Sequence, residues 1–369
     1  MKICFIVSEI FSFGRYGGFG KLVRDMGTEL LKKGVDVYAV TWRGKKQRKV
    51  EKVDGITVYS FPYNPLDSIT SHLSSYMESL PIYKAIDADI YVSIELQIST
   101  YIAQKAEKKK KHVVWFQDPY DEQAYKDMGT VDKNYEWNFK RKMQFYTTIG
   151  ILRHVCQKVD LFLTQAKTYT PTVKRLYKIH KEVSFMPNPV KIYNENIRKS
   201  PEPTVCFLGR WDPQKRVELF LKLAKKFPYI TFIALGKGHN PKADVKLRKK
   251  YRKIKNLQMP GFVTEDEKHQ ILAKSWILIN TSIREGLPIS FLEAMAHKTA
   301  ILSYVNPDKL ASKFGYWTRK GDFERGLKRL LKDDLWVRKG EKGFEYVKRF
   351  HSINTVVKNF LHSLIEIKD

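Results

Sequence analysis

At 369 residues the chain is long enough for two domains, and none of its apolar runs reaches the length that spans a bilayer. Hydrophobic residues make up 43%, enough for ordinary cores, and no low-complexity tract argues for disorder. Lys and Arg number 67 against 39 Asp and Glu, a formal charge of +28, which fits either a lysine-rich solvated surface or an anionic partner: sugar phosphates, an acidic membrane face or nucleic acid.

The opening Met1-Lys-Ile-Cys-Phe-Ile-Val7 is too short for a signal peptide and reads as a first strand, Ile3–Val7. A glycine-rich loop, Phe13-Gly-Arg-Tyr-Gly-Gly-Phe-Gly20, leads into a helical pattern over Lys21–Lys33 that stops at Gly34. Further strands are expected at Val35–Thr41, Ile56–Phe61, Ile90–Ile94, His112–Phe116, Leu161–Thr164 and Val183–Met186. A helix is expected over Ile98–Lys110, and a long one over Tyr135–Gln157. In that long stretch Trp137, Phe139, Phe145 and Tyr146 interleave with Lys140, Arg141 and Lys142. It reads as a core-packed helix with a solvated basic face, or as a surface that docks on an anionic bilayer.

The Pro-rich stretch Asn188–Pro203 breaks the rhythm and reads as an inter-domain linker. The alternation then restarts, with strands at Thr204–Leu208, Thr231–Leu235, Leu257–Met259, Ile277–Ile279 and Ala300–Ser303. Helices are expected at Val217–Lys226, Ala243–Lys253, Asp266–Lys274, Ser290–His297, Phe323–Lys332, Leu335–Phe350 and about Ser352–Ile367. Two strand–helix arrays of this kind predict an α/β protein with two doubly wound parallel sheets facing across a cleft, where ligands bind beyond the carboxyl ends of the strands. The expected domains are 1–188, a linker 189–203 and 204–351, with the last helix packing back on the first domain. Cys4, Cys156 and Cys206 lack metal-ligand spacing and suit a reducing, cytoplasmic setting.

The stretch Arg284–His297 carries Glu285 and Glu293 with seven residues between them. A strand precedes it, and Gly286 and Pro288 lie in the turn that enters a helix. Such a helix start suits a phosphate, and the flanking carboxylates suit sugar hydroxyls. Together these describe a sugar nucleotide. After the first strand past the linker comes Gly209-Arg-Trp-Asp-Pro-Gln-Lys-Arg216. There Arg210 and Lys215 converge on one loop, as a diphosphate requires, although surface loops often carry such residues without function.

The glycine-rich first loop, the linker, Gly209-Arg210-x4-Lys215 and Glu285-x7-Glu293 occur in the order found in retaining glycosyltransferases of family 4, which the chain resembles over nearly its whole length. Pro260-Gly-Phe-Val263, Ile271–Trp276 and Phe185-Met-Pro-Asn-Pro-Val190 add to the resemblance. It implies the GT-B fold of two Rossmann-like domains, transfer of a hexose from a UDP- or GDP-sugar with retention, and no metal or other cofactor. It implies that Arg210 and Lys215 bind the donor diphosphate, Glu293 the ribose and Glu285 the transferred sugar. Backbone at Gly286, Leu287 and Pro288 would hold donor oxygens, that near Val263 the base, and Gly17 and Gly18 would close over the phosphates.

Two departures lie on the acceptor side. Gln117 and Asp118 stand where relatives often carry a histidine, so Asp118 either orients the acceptor hydroxyl or is a turn residue before Pro119. Gly20-Lys21 stands where many relatives carry an acid. The expected acceptor is a glycan or lipid-linked hydroxyl, in polysaccharide or glycolipid synthesis, with an anionic inner membrane face as a further candidate partner. The other-class alternative is a nucleic-acid-binding or DNA-modifying protein on a GT-B scaffold, motivated by net charge alone; a non-catalytic sugar binder fits less well with all four charged motif residues present.

Overall fold

The computed structural model describes residues 1–10, 17–44, 47–62, 76–193, 197–238 and 240–368. Phe13–Tyr16 of the first loop, 45–46 of a basic cluster and 194–196 of the linker lie outside the described residues. The chain divides into two compact units. One comprises Met1–Asp121, Asn138–Pro189 and Ile353–Asp369; the other comprises Glu122–Trp137 and Val190–Ser352.

The first unit holds strands β1 (Lys2–Ile6), β2 (Asp36–Arg43), β3 (Val50–Val53), β4 (Ile56–Pro62), β5 (Ile90–Ile94), β6 (Lys111–Phe116), β7 (Leu161–Thr164) and β8 (Val183–Phe185). Their order is β3-β4-β2-β1-β5-β6-β7-β8. Every pairing is parallel except β3 with β4. Both faces of the sheet are covered, which is why these strands read as apolar runs. Along β1, Ile3 and Phe5 point to a core with Leu22, Met26 and Leu30 of the helix Gly18–Lys32, whereas Cys4 and Ile6 point to a core with Tyr83, Ile86 and Ile102. The last helix, Ile353–Glu366, completes the first of these cores: Phe360 stacks on Trp115 at 5.4 Å and on Phe5 at 6.4 Å.

The second unit holds β9 (Thr204–Leu208), β10 (Thr231–Leu235), β11 (Leu257–Gly261), β12 (Ile277–Asn280), β13 (Ala300–Ser303) and β14 (Gly315–Trp317). Their order is β11-β10-β9-β12-β13-β14, all parallel. The order reverses between β1 and β5 in one sheet and between β9 and β12 in the other. In open α/β sheets the loops past the carboxyl ends at such a reversal are where ligands bind.

Two strands have no counterpart in the sequence reading. β3 is four residues with no apolar alternation and mostly exposed, and β14 is three residues at a sheet edge. The long helix expected over Tyr135–Gln157 is shorter: a 3-10 turn spans Lys133–Tyr135 and the helix runs Phe139–Cys156. Asn138 sets that start, because its side-chain oxygen accepts from Arg141 N at 3.0 Å and caps the helix.

The later part of the Pro-rich stretch is tied down within the second unit. Ser200 N donates to Lys274 O at 3.0 Å, and Trp276 Nε1 donates to Ser200 O at 2.8 Å. Lys199 Nζ donates to the carbonyls of Ser275 and His297, both at 2.6 Å, and to the Thr299 hydroxyl at 2.8 Å. Burial pushes this ammonium down to about 7. All three cysteines are buried and unpaired, and burial pushes their thiols up, that of Cys206 to about 11. Among the described residues no helix is long and apolar enough to cross a membrane.

Candidate active site

The loops after β9 and β12 flank the reversal point of the second sheet, and they clasp each other. Gln214 Nε2 donates to Arg284 O at 2.7 Å, and Ile283 N donates to Gln214 O at 3.0 Å. Thr281 Oγ1 donates to Lys215 O at 2.6 Å. Arg216, with a left-handed φ of 47°, turns its guanidinium back to donate to Thr281 O at 2.7 Å and lies over the Tyr304 ring at 4.6 Å. None of Gln214, Arg216 and Thr281 stood out in the sequence; they fix the loops that carry the residues that did.

Within that clasp Lys215 Nζ forms an ion pair with Glu285 Oε1. Ser282 Oγ donates to the same oxygen at 2.6 Å. Burial alone would push the Glu285 carboxyl up. The Lys215 charge, with hydrogen bonds from Lys215, Ser282 and Asn280, outweighs it and holds the carboxyl below its ordinary value. Glu285 is therefore ionised at neutral pH. Arg210 is the more exposed member of the loop, and its Nε pairs with Asp212 at 3.0 Å. The two cations thus sit on one loop in different settings, Lys215 largely buried and Arg210 partly solvated.

Gly236, after β10, explains how closely the next loop approaches. Its φ is 111°, and a Cβ there would overlap Gly209 O. Trp211 N donates to Lys237 O at 3.0 Å, and Arg248 lies over the Trp211 ring at 4.2 Å, which closes this side of the loop.

Glu293 lies in the helix Ile289–Met295, which begins one residue past Pro288. Gly286, Leu287 and Pro288 form the turn before it, with Leu287 buried. The helix is only seven residues long. Glu293 is buried and accepts from Lys268 Nζ at 2.6 Å, while Lys268 also holds both Glu265 oxygens at 2.8 Å. Lys268 lies in the helix Glu265–Lys274, which follows Val263 and is capped by Thr264. His297 Nδ1 donates to Glu293 O at 2.7 Å, so the neutral ring presents Nε2 as acceptor to His269 Nδ1 at 3.2 Å. Burial pushes His297 down and keeps it neutral. Sequence reasoning missed Lys268, because its partner lies 25 residues away on another helix.

In the first unit, Gly17 is extended and immediately precedes the helix Gly18–Lys32. The Glu9 carboxylate lies against it so closely that any Cβ at Gly17 would collide. Glu9 therefore supplies an acidic group beside this turn, where Gly20-Lys21 supplies none. Past β6, Gln117 is buried and accepts from Asn188 Nδ2 at 2.9 Å; Gln165 Nε2 donates to its carbonyl. Asp118 N donates to Glu95 Oε2 at 2.6 Å and Gln117 N to the same oxygen at 2.9 Å. Glu95 is the first residue past β5, held at a left-handed φ of 68°. Burial, opposed by these amide donors and reinforced by the Asp118 charge, pushes its carboxyl up to about 7. Glu95 is thus another residue the sequence did not single out, at the reversal point of the first sheet.

Among the described residues no group of three or more His, Cys, Asp or Glu side chains is placed to hold a metal ion. What the second unit presents past the carboxyl ends of β9 and β12 is Arg210, Lys215 and Glu285 in loops, with Glu293 in the short helix that follows.

Residues 191–339 match the family model for glycosyl transferases group 1. No curated protein matches the chain by sequence. Among solved structures, the chain is similar to sucrose-phosphate synthase from Thermosynechococcus elongatus, at 14% identity and a TM-score of 0.78 over 99% of this chain and 98% of that one. It is similar to the Anabaena protein HepE in complex with UDP, at 13% identity and a TM-score of 0.72 over 99% and 100% of the two chains. It also resembles the lipopolysaccharide outer core galactosyltransferase WaaB, at 17% identity and a TM-score of 0.66 over 99% of each chain. At such identities the structures establish the fold: the chain has the GT-B fold, and its residues 191–339 carry the match to glycosyl transferases group 1.

Proposed function

We propose that the enzyme is a metal-independent, retaining hexosyltransferase that uses a UDP- or GDP-sugar and transfers to a hydroxyl of a glycan or lipid-linked acceptor, in polysaccharide or glycolipid synthesis. The observation that carries this reading is the Lys215–Glu285 ion pair, set in clasped loops at the reversal point of the second sheet. The similarity to HepE in complex with UDP supports a uridine diphosphate donor.

In this mechanism the bond between the sugar C1 and the diphosphate oxygen breaks, and negative charge develops on the leaving phosphate. Arg210 and Lys215 stabilise that charge, which is the electrostatic role usually supplied by donors aimed at a developing anion. The acceptor oxygen bonds C1 on the face the diphosphate leaves, and its proton passes to a diphosphate oxygen. Ionised Glu285 accepts hydroxyls of the transferred sugar. Glu293, kept in place by Lys268, accepts the ribose hydroxyls, and backbone at Gly286, Leu287 and Val263 meets the phosphates and base. Gly17 and Gly18 approach the phosphates, and Asp118 orients the acceptor hydroxyl.

The test is incubation with a panel of nucleotide sugars in excess chelator, with release of nucleotide diphosphate as the readout and the anomeric proton of the product read by NMR. Turnover with the donor's anomeric configuration preserved is expected. Turnover only with added divalent cation, or an inverted product, would contradict the proposal.

A further inference from the structure

The helix Phe139–Cys156 carries apolar residues on two faces. Phe145, Ile149, Leu152, Val155 and Cys156 are buried. Phe139, Met143 and Tyr146 instead stand 79%, 53% and 52% exposed. Their spacings of four and three residues put them on one stripe of the helix. Gly150 continues it, with open space where a Cβ would project. The sequence reading that aromatic residues here mean core therefore holds for Phe145 and fails for Phe139 and Tyr146.

Charge decides what this stripe fits. The 18-residue helix contains Lys140, Arg141, Lys142 and Arg153 and no acidic residue. Lys142 is exposed and lies three residues after Phe139 and four before Tyr146, so a cation sits within the apolar stripe; Lys140 is exposed beside it. An apolar stripe of large side chains on a helix whose charged residues are all cations matches the interface of an anionic bilayer. There the apolar groups enter the boundary between headgroups and acyl chains, and the cations meet lipid phosphates. A nucleic acid would leave the apolar stripe without a partner, and a second copy of this basic chain would bring like charges together.

We propose that the outer face of this helix docks the enzyme on an anionic phospholipid bilayer, with Phe139, Met143 and Tyr146 inserted and Lys140 and Lys142 on the headgroups. The surface lies within the first unit and stands apart from the donor reading, so its test needs no turnover.

The full-length protein is cosedimented with phosphatidylcholine vesicles and with mixed phosphatidylcholine–phosphatidylglycerol vesicles. Binding is expected to the mixed vesicles and not to the neutral ones. Lys140→Glu with Lys142→Glu should lower partitioning by more than about tenfold, since each basic residue at such a surface is worth about fivefold. Phe139→Ser with Met143→Ser should lower it with the charges intact, and both pairs should leave the melting temperature unchanged because the side chains are exposed. Lys246→Glu with Lys249→Glu, on the exposed side of the helix Pro241–Tyr251 in the second unit, should have little effect. Equal recovery in the supernatant with both vesicle types would overturn the proposal. So would equal losses from the two lysine pairs, or a dimer in solution that Phe139→Ser dissolves while vesicle binding stays absent.

Discussion

Two carboxylates in this protein are tuned in opposite directions, and each gives a stability signature of opposite sign. Glu285 is held below its ordinary value chiefly by Lys215 against the pull of burial. Its contribution is present above the unfolded pKa and is lost as pH falls through the folded one. Lys215→Met leaves a buried carboxylate unpaired and is expected to cost about 3–5 kcal/mol at neutral pH. Urea unfolding should show that cost shrinking in acid, as the orphaned Glu285 takes up a proton. Glu95 lies on the other side: its carboxyl is pushed up to about 7 from an ordinary 4.5. The stability it contributes is present below about 4.5 and lost as pH rises through about 7. Glu95→Gln keeps an acceptor oxygen for the amides of Gln117 and Asp118 and should exceed the wild type by about 2–3 kcal/mol near pH 8, with the gap closing near pH 4. A gap that widens in acid would refute this assignment. The resemblance puts forward Arg210, Lys215, Glu285 and Glu293, and the folded chain pairs Lys215 with Glu285. Nothing in sequence marked Glu95 or Lys268, because their significance lies in partners 23 and 25 residues away that only the folded chain brings near.

At the level of elements, the site is a consequence of where parallel strands end. β9 and β12 are neighbours although three helices and two strands separate them in sequence, and this adjacency lets the loop of Arg210 and Lys215 close on that of Glu285. The neighbouring loop after β10 must pass within contact of Gly209, which only a glycine at position 236 allows. Gly236→Ala is expected to displace the Gly209–Arg216 loop and weaken donor binding by at least about tenfold, beyond the few kcal/mol of backbone strain; calorimetric titration with UDP and GDP measures it, and unchanged affinity would contradict the role given to this contact. The buried strands were legible because covering both faces of a sheet demands runs of Val, Ile, Leu and Phe. β3 and β14 were not, being short, at edges, and free of that demand. The start of the helix Phe139–Cys156 was misplaced because its apolar pattern runs on past the Asn138 cap into a separate turn.

Over the whole molecule, two α/β sheets repeat one plan, each with its order reversing once. The repetition was visible in the alternation of short apolar and longer amphipathic runs, and the Pro-rich stretch marked where it restarts. The return of the last helix to the first unit is less a matter of pattern than of partners: Phe360 needs the rings of Trp115 and Phe5. The net charge of +28 does not distinguish fold or chemistry. Its local placement is more specific: Lys215 pairs with Glu285 and Lys268 with Glu293 in the second unit, and Lys140 and Lys142 lie beside an exposed apolar stripe in the first. In the proposed function the loops after β9 and β12, with the helix that follows β12, bind a nucleotide diphosphate through Lys215, Arg210 and Glu293. Thermal unfolding with UDP and with GDP tests it most directly. A rise in melting temperature is expected with at least one of them in the wild type, lost in Arg210→Ala and in Glu293→Ala. A wild type that neither nucleotide stabilises, or a shift that survives both substitutions, would contradict it.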